Sequence, residues 1–215
     1  TALDRDLCRR IRASILLAGP LMARTGELRL PPPGGDVIGR RRLDTHFLAL
    51  ERMGAGVDFD GGSIRLSCQG LTGTEMLLDE PSVTATENTL MAASAARGRT
   101  VLYNAACEPN VQDLARLLTS MGARIDGAGT NRITIHGTAG TLDGAEHRVA
   151  PDHIEIGSFL GLAACCGRGV RIPRVPRADV EPTLRVLGRL GLRTEWSGED
   201  LVVPPGQELE VVSDR

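Results

Sequence analysis

Residues 30–46 read LPPPGGDVIGRRRLDTH. Three prolines and two glycines lead into one acid, Asp36. Arg40, Arg41 and Arg42 follow, then Asp44 and His46. A positioned carboxylic acid can hand a proton to a reacting carbon or to a leaving group. Guanidinium forks bind phosphate and carboxylate at two points and keep their charge. Acid and arginines together therefore suit a small substrate that carries several negative charges and must be protonated. The same residues also make a plain Gly-Gly-Asp turn, with Asp36 bonding its own backbone, followed by solvated arginines. The stretch alone leaves both readings open. The LDTH segment, residues 43–46, reads as a helix start, with Asp44 or Thr45 expected to cap it.

Other chemistries find no support. The four histidines are scattered, without an H-E-x-x-H or a Cys/His cluster, so no metal site and no cofactor is expected. There is no P-loop, and GAGTNR (127–132) lacks the third glycine of a dinucleotide fingerprint. The five cysteines are odd in number and irregularly spaced, which points to reduced thiols. Cys165 and Cys166, in the apolar run AACCGRG, are expected as buried small hydrophobes. A net charge of −2 and 2% aromatic residues argue against a nucleic-acid partner. No run approaches the ~18 apolar residues of a membrane span. The opening TALDRDLCRRIRAS has no apolar core of a signal peptide. A cytoplasmic location is the expectation.

The elements that must position these residues come in three similar passages. Each has an apolar helix, a glycine-containing stop, a short strand and a loop, then an amphipathic helix, a glycine and a hairpin. The glycine after the amphipathic helix is Gly54, Gly122 and Gly191 in turn, spaced 68 and 69 residues apart. Repetition of this length is the strongest organising signal in the chain. Leu114, Leu117, Leu118 and Met121 recur at helical spacing, as do Leu184, Leu187 and Leu190. The first helix of each passage (Ala13 to Leu21 in the first) is apolar nearly all round, so the helices should lie inside and the sheets outside. Leading strands are expected at 75–79, 146–150 and 209–214, completing an α/β fold of repeated β-α-β-α-β-β units. The first passage lacks a leading strand and the chain stops within one, so it reads as a piece of a longer protein.

The repeats, together with RASILLAGPLMAR, PGGDVIGRRRLDTH, SVTATEN, NAACEPNVQDLARLLTSMGA and APDHIEIGSFL, resemble the UDP-N-acetylglucosamine enolpyruvyl transferases. The resemblance covers the whole chain. It implies lobes built as inside-out α/β barrels. Residues 1–150 would hold two repeat units of lobe one, with the Asp36 loop, and residues 151–215 one unit of lobe two. It implies transfer of the enolpyruvyl group of phosphoenolpyruvate to a hydroxyl of UDP-N-acetylglucosamine, with release of phosphate, in peptidoglycan precursor synthesis. Other parts of the family's site fall outside this sequence, so the 215 residues alone are expected to be inactive, and the remainder of the fold is a possible partner on another chain.

Residue by residue, the resemblance gives Asp36 and Arg41 to catalysis and Arg12 and Arg41 to phosphoenolpyruvate. It gives Arg42, Leu43, Asp44, Thr45, His46, Ser82, Val83 and Thr84 to the uridine nucleotide, and adds Glu108 and His153 more loosely. Several positions depart from the family. Asp36 stands where most members have cysteine, which implies insensitivity to fosfomycin, an epoxide opened by a thiolate. Thr84 stands where glycine is usual, Asn110 replaces a glutamate and His153 an arginine. These departures keep a different uridine nucleotide open as acceptor. A non-catalytic or split relative is a further alternative, and an RNA terminal-phosphate cyclase-like protein a more distant one.

Overall fold

The computed structural model describes residues 2–35, 39, 42–140 and 142–210. It divides into two compact units, Thr1–Arg148 and Val149–Arg215. The division falls two residues before the boundary that the family resemblance implies.

The first unit opens with α1 (Arg5–Arg10), whose N-terminus is capped by the Asp4 carboxylate accepting from the Leu7 amide at 2.9 Å. Asp6 in its first turn and Arg9 and Arg10 in its last suit the helix dipole. The next helix is not the single run from Ala13 expected from apolarity. Arg12–Leu17 winds as a 3-10 helix, and α2 (Ala18–Thr25) begins only afterwards. Pro20 accounts for the break: it lacks an amide and its ring crowds the carbonyl four residues back, so it is tolerated only in the first turn of an α-helix. Gly26, with φ of 68°, ends α2 and turns the chain into β1 (Glu27–Leu30). Then come α3 (Asp44–Arg52), β2 (Gly56–Asp60) and β3 (Ser63–Ser67). The second repeat runs β4 (Glu75–Leu77), α4 (Val83–Ala95), β5 (Arg99–Tyr103), α5 (Pro109–Ser120), β6 (Arg124–Asp126) and β7 (Arg132–His136). The Val149–Arg215 unit carries the third: α6 (His153–Cys166), β8 (Val170–Ile172), α7 (Arg177–Gly188), β9 (Glu195–Ser197) and β10 (Asp200–Val203).

The three sheets share one plan. Their orders are β1-β3-β2, β4-β5-β7-β6 and β8-β10-β9, so in each the hairpin's second strand lies between the first strand and its own partner. All pairs are antiparallel except β4 with β5. Strand residues alternate between buried and exposed in β1 and β3, so the first sheet keeps one face in water. The helices back the inner faces: Met22, Leu50 and Leu90 are at most 1% exposed beside Leu28, Leu66, Leu102 and Ile133. The three repeat glycines adopt φ of 98°, 98° and 87°, the left-handed backbone that a side chain disfavours.

Two expectations fail here. Residues 146–150 form no strand, and Val149 is exposed: the chain leaves the first unit at this point with no sheet edge beside it. Cys165 and Cys166 are exposed: Cys165 lies on the side of α6 opposite the packed Ile156, Leu160 and Ala163, and Cys166 is the last residue of the helix. The strand expected at 209–214 lies mostly outside the described residues.

Candidate active site

The glycines before Asp36 have a structural duty of their own. The amides of Gly34 and Gly35 donate to the carbonyls of Cys8 and Arg9 at 3.0 and 3.3 Å, satisfying groups that the end of α1 leaves open. A Cβ on Gly34 would overlap the Arg9 carbonyl, and Gly35 holds φ of 87° against the Arg12 backbone. Side-chain-free residues are thus required to lay this loop against Arg9–Arg12. Asp36 and Arg41, the two residues that the resemblance gives to catalysis, lie outside the described residues.

Arg12 begins the 3-10 helix, and its guanidinium donates to the Arg42 carbonyl at 3.3 Å, thirty residues away in sequence. Arg42 itself grips the Asp44 carboxylate (2.7 and 3.0 Å from Nε), and this bond holds its guanidinium above its usual range. Asp44 is therefore engaged by an arginine rather than capping α3. Leu43 occupies the cap position, with no side-chain bond, which corrects the expected cap at Asp44 or Thr45. Thr45 is buried and its hydroxyl lies 3.5 Å from Glu80, in the turn that precedes α4.

His46 differs most from the sequence reading. It is 3% exposed, and both ring nitrogens are spent inside the protein. Nε2 meets the Thr84 hydroxyl at 3.2 Å and Nδ1 meets the Asn88 amide at 3.0 Å. Burial, with the charge of Arg12 added, lowers its pKa from 6.5 to about 4. His46 is thus a neutral imidazole behind the surface. Asn88, 1% exposed in the middle of α4, is the residue the sequence reading missed. Its Oδ1 accepts from the Gly19 amide at 2.6 Å, and its Nδ2 donates to the Ile15 carbonyl at 2.9 Å and faces His46. One side chain so joins the 3-10 helix, α2, α3 and α4. A signal was present: Thr86, Glu87, Asn88 and Thr89 are four consecutive polar residues in a helix with no separate polar face. Buried polar groups on such a helix must find partners.

Ser82 caps α4, its hydroxyl accepting from the Ala85 amide at 3.3 Å, and Val83 and Thr84 form the first helical positions. Arg12, Arg42–His46 and Ser82–Thr84 are therefore linked by direct bonds within one unit. Glu108 stands apart at the start of α5, beside Asn110, which donates to Glu87 at 2.8 Å. Burial raises the Glu87 pKa, Asn110 opposes that, and the nearby Glu108 adds to it. His153 opens α6 in the other unit, next to the cap Asp152. Among the described residues no group of three or more His, Cys, Asp or Glu side chains is arranged to hold a metal ion, and no helix is long and apolar enough to cross a membrane.

The family model for EPSP synthase (3-phosphoshikimate 1-carboxyvinyltransferase) matches residues 1–213. The chain is 55% identical over 212 residues to a UDP-N-acetylglucosamine 1-carboxyvinyltransferase of Bradyrhizobium diazoefficiens, covering 99% of this chain and 49% of that protein. It is 51% identical over 212 residues to the enzyme of that name from Treponema denticola, again covering 99% and 49%. The chain spans about half the length of these relatives. Among solved structures, the enolpyruvyl transferase NikO from Streptomyces tendae superposes with a TM-score of 0.77 at 26% identity, over 95% of this chain and 49% of that one. EPSP synthase from Acinetobacter baumannii, at 20% identity and a TM-score of 0.64 over 93% and 48% of the two chains, shares the fold. The repeated sheets, the inward helices and a family match that runs nearly end to end agree: the chain belongs to the EPSP synthase family of enolpyruvyl (1-carboxyvinyl) transferases.

Proposed function

We propose that the full-length protein transfers the enolpyruvyl group of phosphoenolpyruvate to a hydroxyl of a uridine nucleotide, with UDP-N-acetylglucosamine the first candidate, in the cytoplasm and in peptidoglycan precursor synthesis. The observation that carries this reading is the linkage of Arg12, Arg42–His46 and Ser82–Thr84 at the starts of α3 and α4. Helix starts and arginines are suited to phosphates. The names of the relatives favour UDP-N-acetylglucosamine as acceptor. In this reading C3 of phosphoenolpyruvate gains a proton while the acceptor oxygen bonds C2 and gives up its own. C3 then returns a proton as the C2–O bond to phosphate breaks, restoring the enol ether.

Asp36 supplies the acid, and Arg12 and Arg41 hold the phosphate and carboxylate. A carboxylate opens an epoxide poorly, so the Asp36 enzyme resists fosfomycin and Asp36→Cys restores sensitivity. The test is phosphate release from phosphoenolpyruvate by the full-length protein with UDP-N-acetylglucosamine and other uridine nucleotides. Release with UDP-N-acetylglucosamine is expected, and no release with any of them from folded protein rejects the reading.

A further inference from the structure

Residues 142–148 form no helix or strand, yet they are pinned along α5. Leu142 packs against the core of the first unit, and the Asp143 amide donates to the Met121 carbonyl at 2.8 Å, at the end of α5. Further on, His147 meets Asp113, with Nε2 3.2 Å from Oδ1. Residues 144–146, between these two pins, are exposed. The lengths agree. The helix rises about 12 Å from Asp113 to Met121, and an extended chain covers about 13 Å from Asp143 to His147. The segment therefore runs antiparallel to α5 and ends where the first compact unit ends, at Arg148.

The two pins differ in kind. The first is a backbone hydrogen bond beside an apolar side chain, and neither carries charge. The second joins two titratable side chains that are only 17% and 12% exposed. Among the described residues His147 Nε2 is closed to solvent and makes no aligned hydrogen bond, so its attraction to Oδ1 is one of charge. Arg116, also on α5, donates to the same oxygen at 3.0 Å. An imidazolium facing this carboxylate completes an ion pair, whereas a neutral ring leaves the carboxylate to Arg116. Glu146 and Arg148 flank His147 on its own segment, and both are exposed to water. Imidazole is the side chain whose charge changes between about pH 5 and 8.

We infer that residues 142–148 are a strap caught on α5 by His147 and Asp113, and that the catch holds while His147 is protonated and loosens when it is neutral. One proton then sets how much chain joins the two units. With the catch closed, residues 148–151 lead from His147 to Asp152, the cap of α6. With it open, residues 144–147 are added to that connection. The inference does not depend on the enolpyruvyl reading.

The experiment is 15N relaxation on the full-length protein, at about pH 6 and about pH 8. Order parameters of the amides of residues 144–147 are expected near the rigid value of about 0.85 at the lower pH and below about 0.6 at the higher. The midpoint of this loosening should coincide with the titration of His147 itself, read on its Cε1 proton. His147→Gln keeps a polar side chain but cannot take up the charge, and should leave the segment loose at both pH values. Asp113→Asn removes the other half of the pair and should do the same. If Asp113→Asn does not fold, wild type and His147→Gln decide. Equal order at both pH values in wild type overturns the inference. So does a midpoint that departs from that of His147, or a His147→Gln protein that stays ordered or keeps the pH response.

Discussion

Helices α4 and α6 hold equivalent places in their repeats and have the same character, apolar nearly all round, yet they meet different surroundings. In α4 nine of thirteen residues are buried, because α2, α3 and α5 all pack against it. In α6 four of fourteen are buried, under α7, β8 and β10. Phe159 is 46% and Leu162 57% exposed, alongside Cys165 and Cys166. One repeat with its sheet covers one side of such a helix, and helices from a second repeat are needed for the rest. The crowding around α4 also lets polar side chains be used there. Asn88 has partners on three helical segments because three segments reach it.

The comparison can be broken at its strongest point first. Asn88→Ala strands the Gly19 amide and Nδ1 of His46 in the interior, and leaves the Ile15 carbonyl with the Ala18 amide alone. Buried groups left unpaired cost about 1–3 kcal/mol each, so about 4 kcal/mol in all is expected from urea denaturation. A cost below about 1 kcal/mol would mean that water reaches α4 as it reaches α6. Next, Leu90→Ala removes a fully buried side chain and should cost about 3 kcal/mol.

Acidification separates the regions in another way. The His46 pKa of about 4 lies below its unfolded value of 6.5. The unfolded chain therefore takes up a proton before the native one does. The stability in question is complete above pH 6.5 and is lost as pH falls toward 4, on the order of 3 kcal/mol. An imidazole titration by proton NMR should show a His46 midpoint near 4, and a midpoint near 6.5 would place the ring in solvent.

The smallest effects belong to α6. Leu162→Ala should change stability by no more than about 0.5 kcal/mol, as at ordinary surface positions. A loss like that at Leu90 would reveal a covering partner. In the same spirit, a thiol reagent should label Cys107, Cys165 and Cys166 quickly. Cys8 should react slowly, being 4% exposed, with burial raising its pKa.

Much of this architecture was readable in advance. The 68- and 69-residue spacing of Gly54, Gly122 and Gly191 marked the repeats, and each sheet adopts the same strand order. The LDTH segment was placed at a helix start, where it is found. What failed had local or neighbour-dependent causes: Pro20 split the first helix, and the side of α6 carrying Cys165 is uncovered.

The amino-acid sequence by itself determined the repeats, the element types and the segments where the charged residues cluster. All of these depend on periodicity, glycines and short motifs, which are properties of neighbouring residues. Only the tertiary structure decided that His46 is interior and neutral and that Asn88 joins four segments. The direction of a hydrogen bond is a joint property of groups at positions 15, 19, 46, 84 and 88, and no one of them carries it alone. Hydrophobic pattern likewise states how many sides of a helix should be dry, while the partners that dry them are decided by what folds against it.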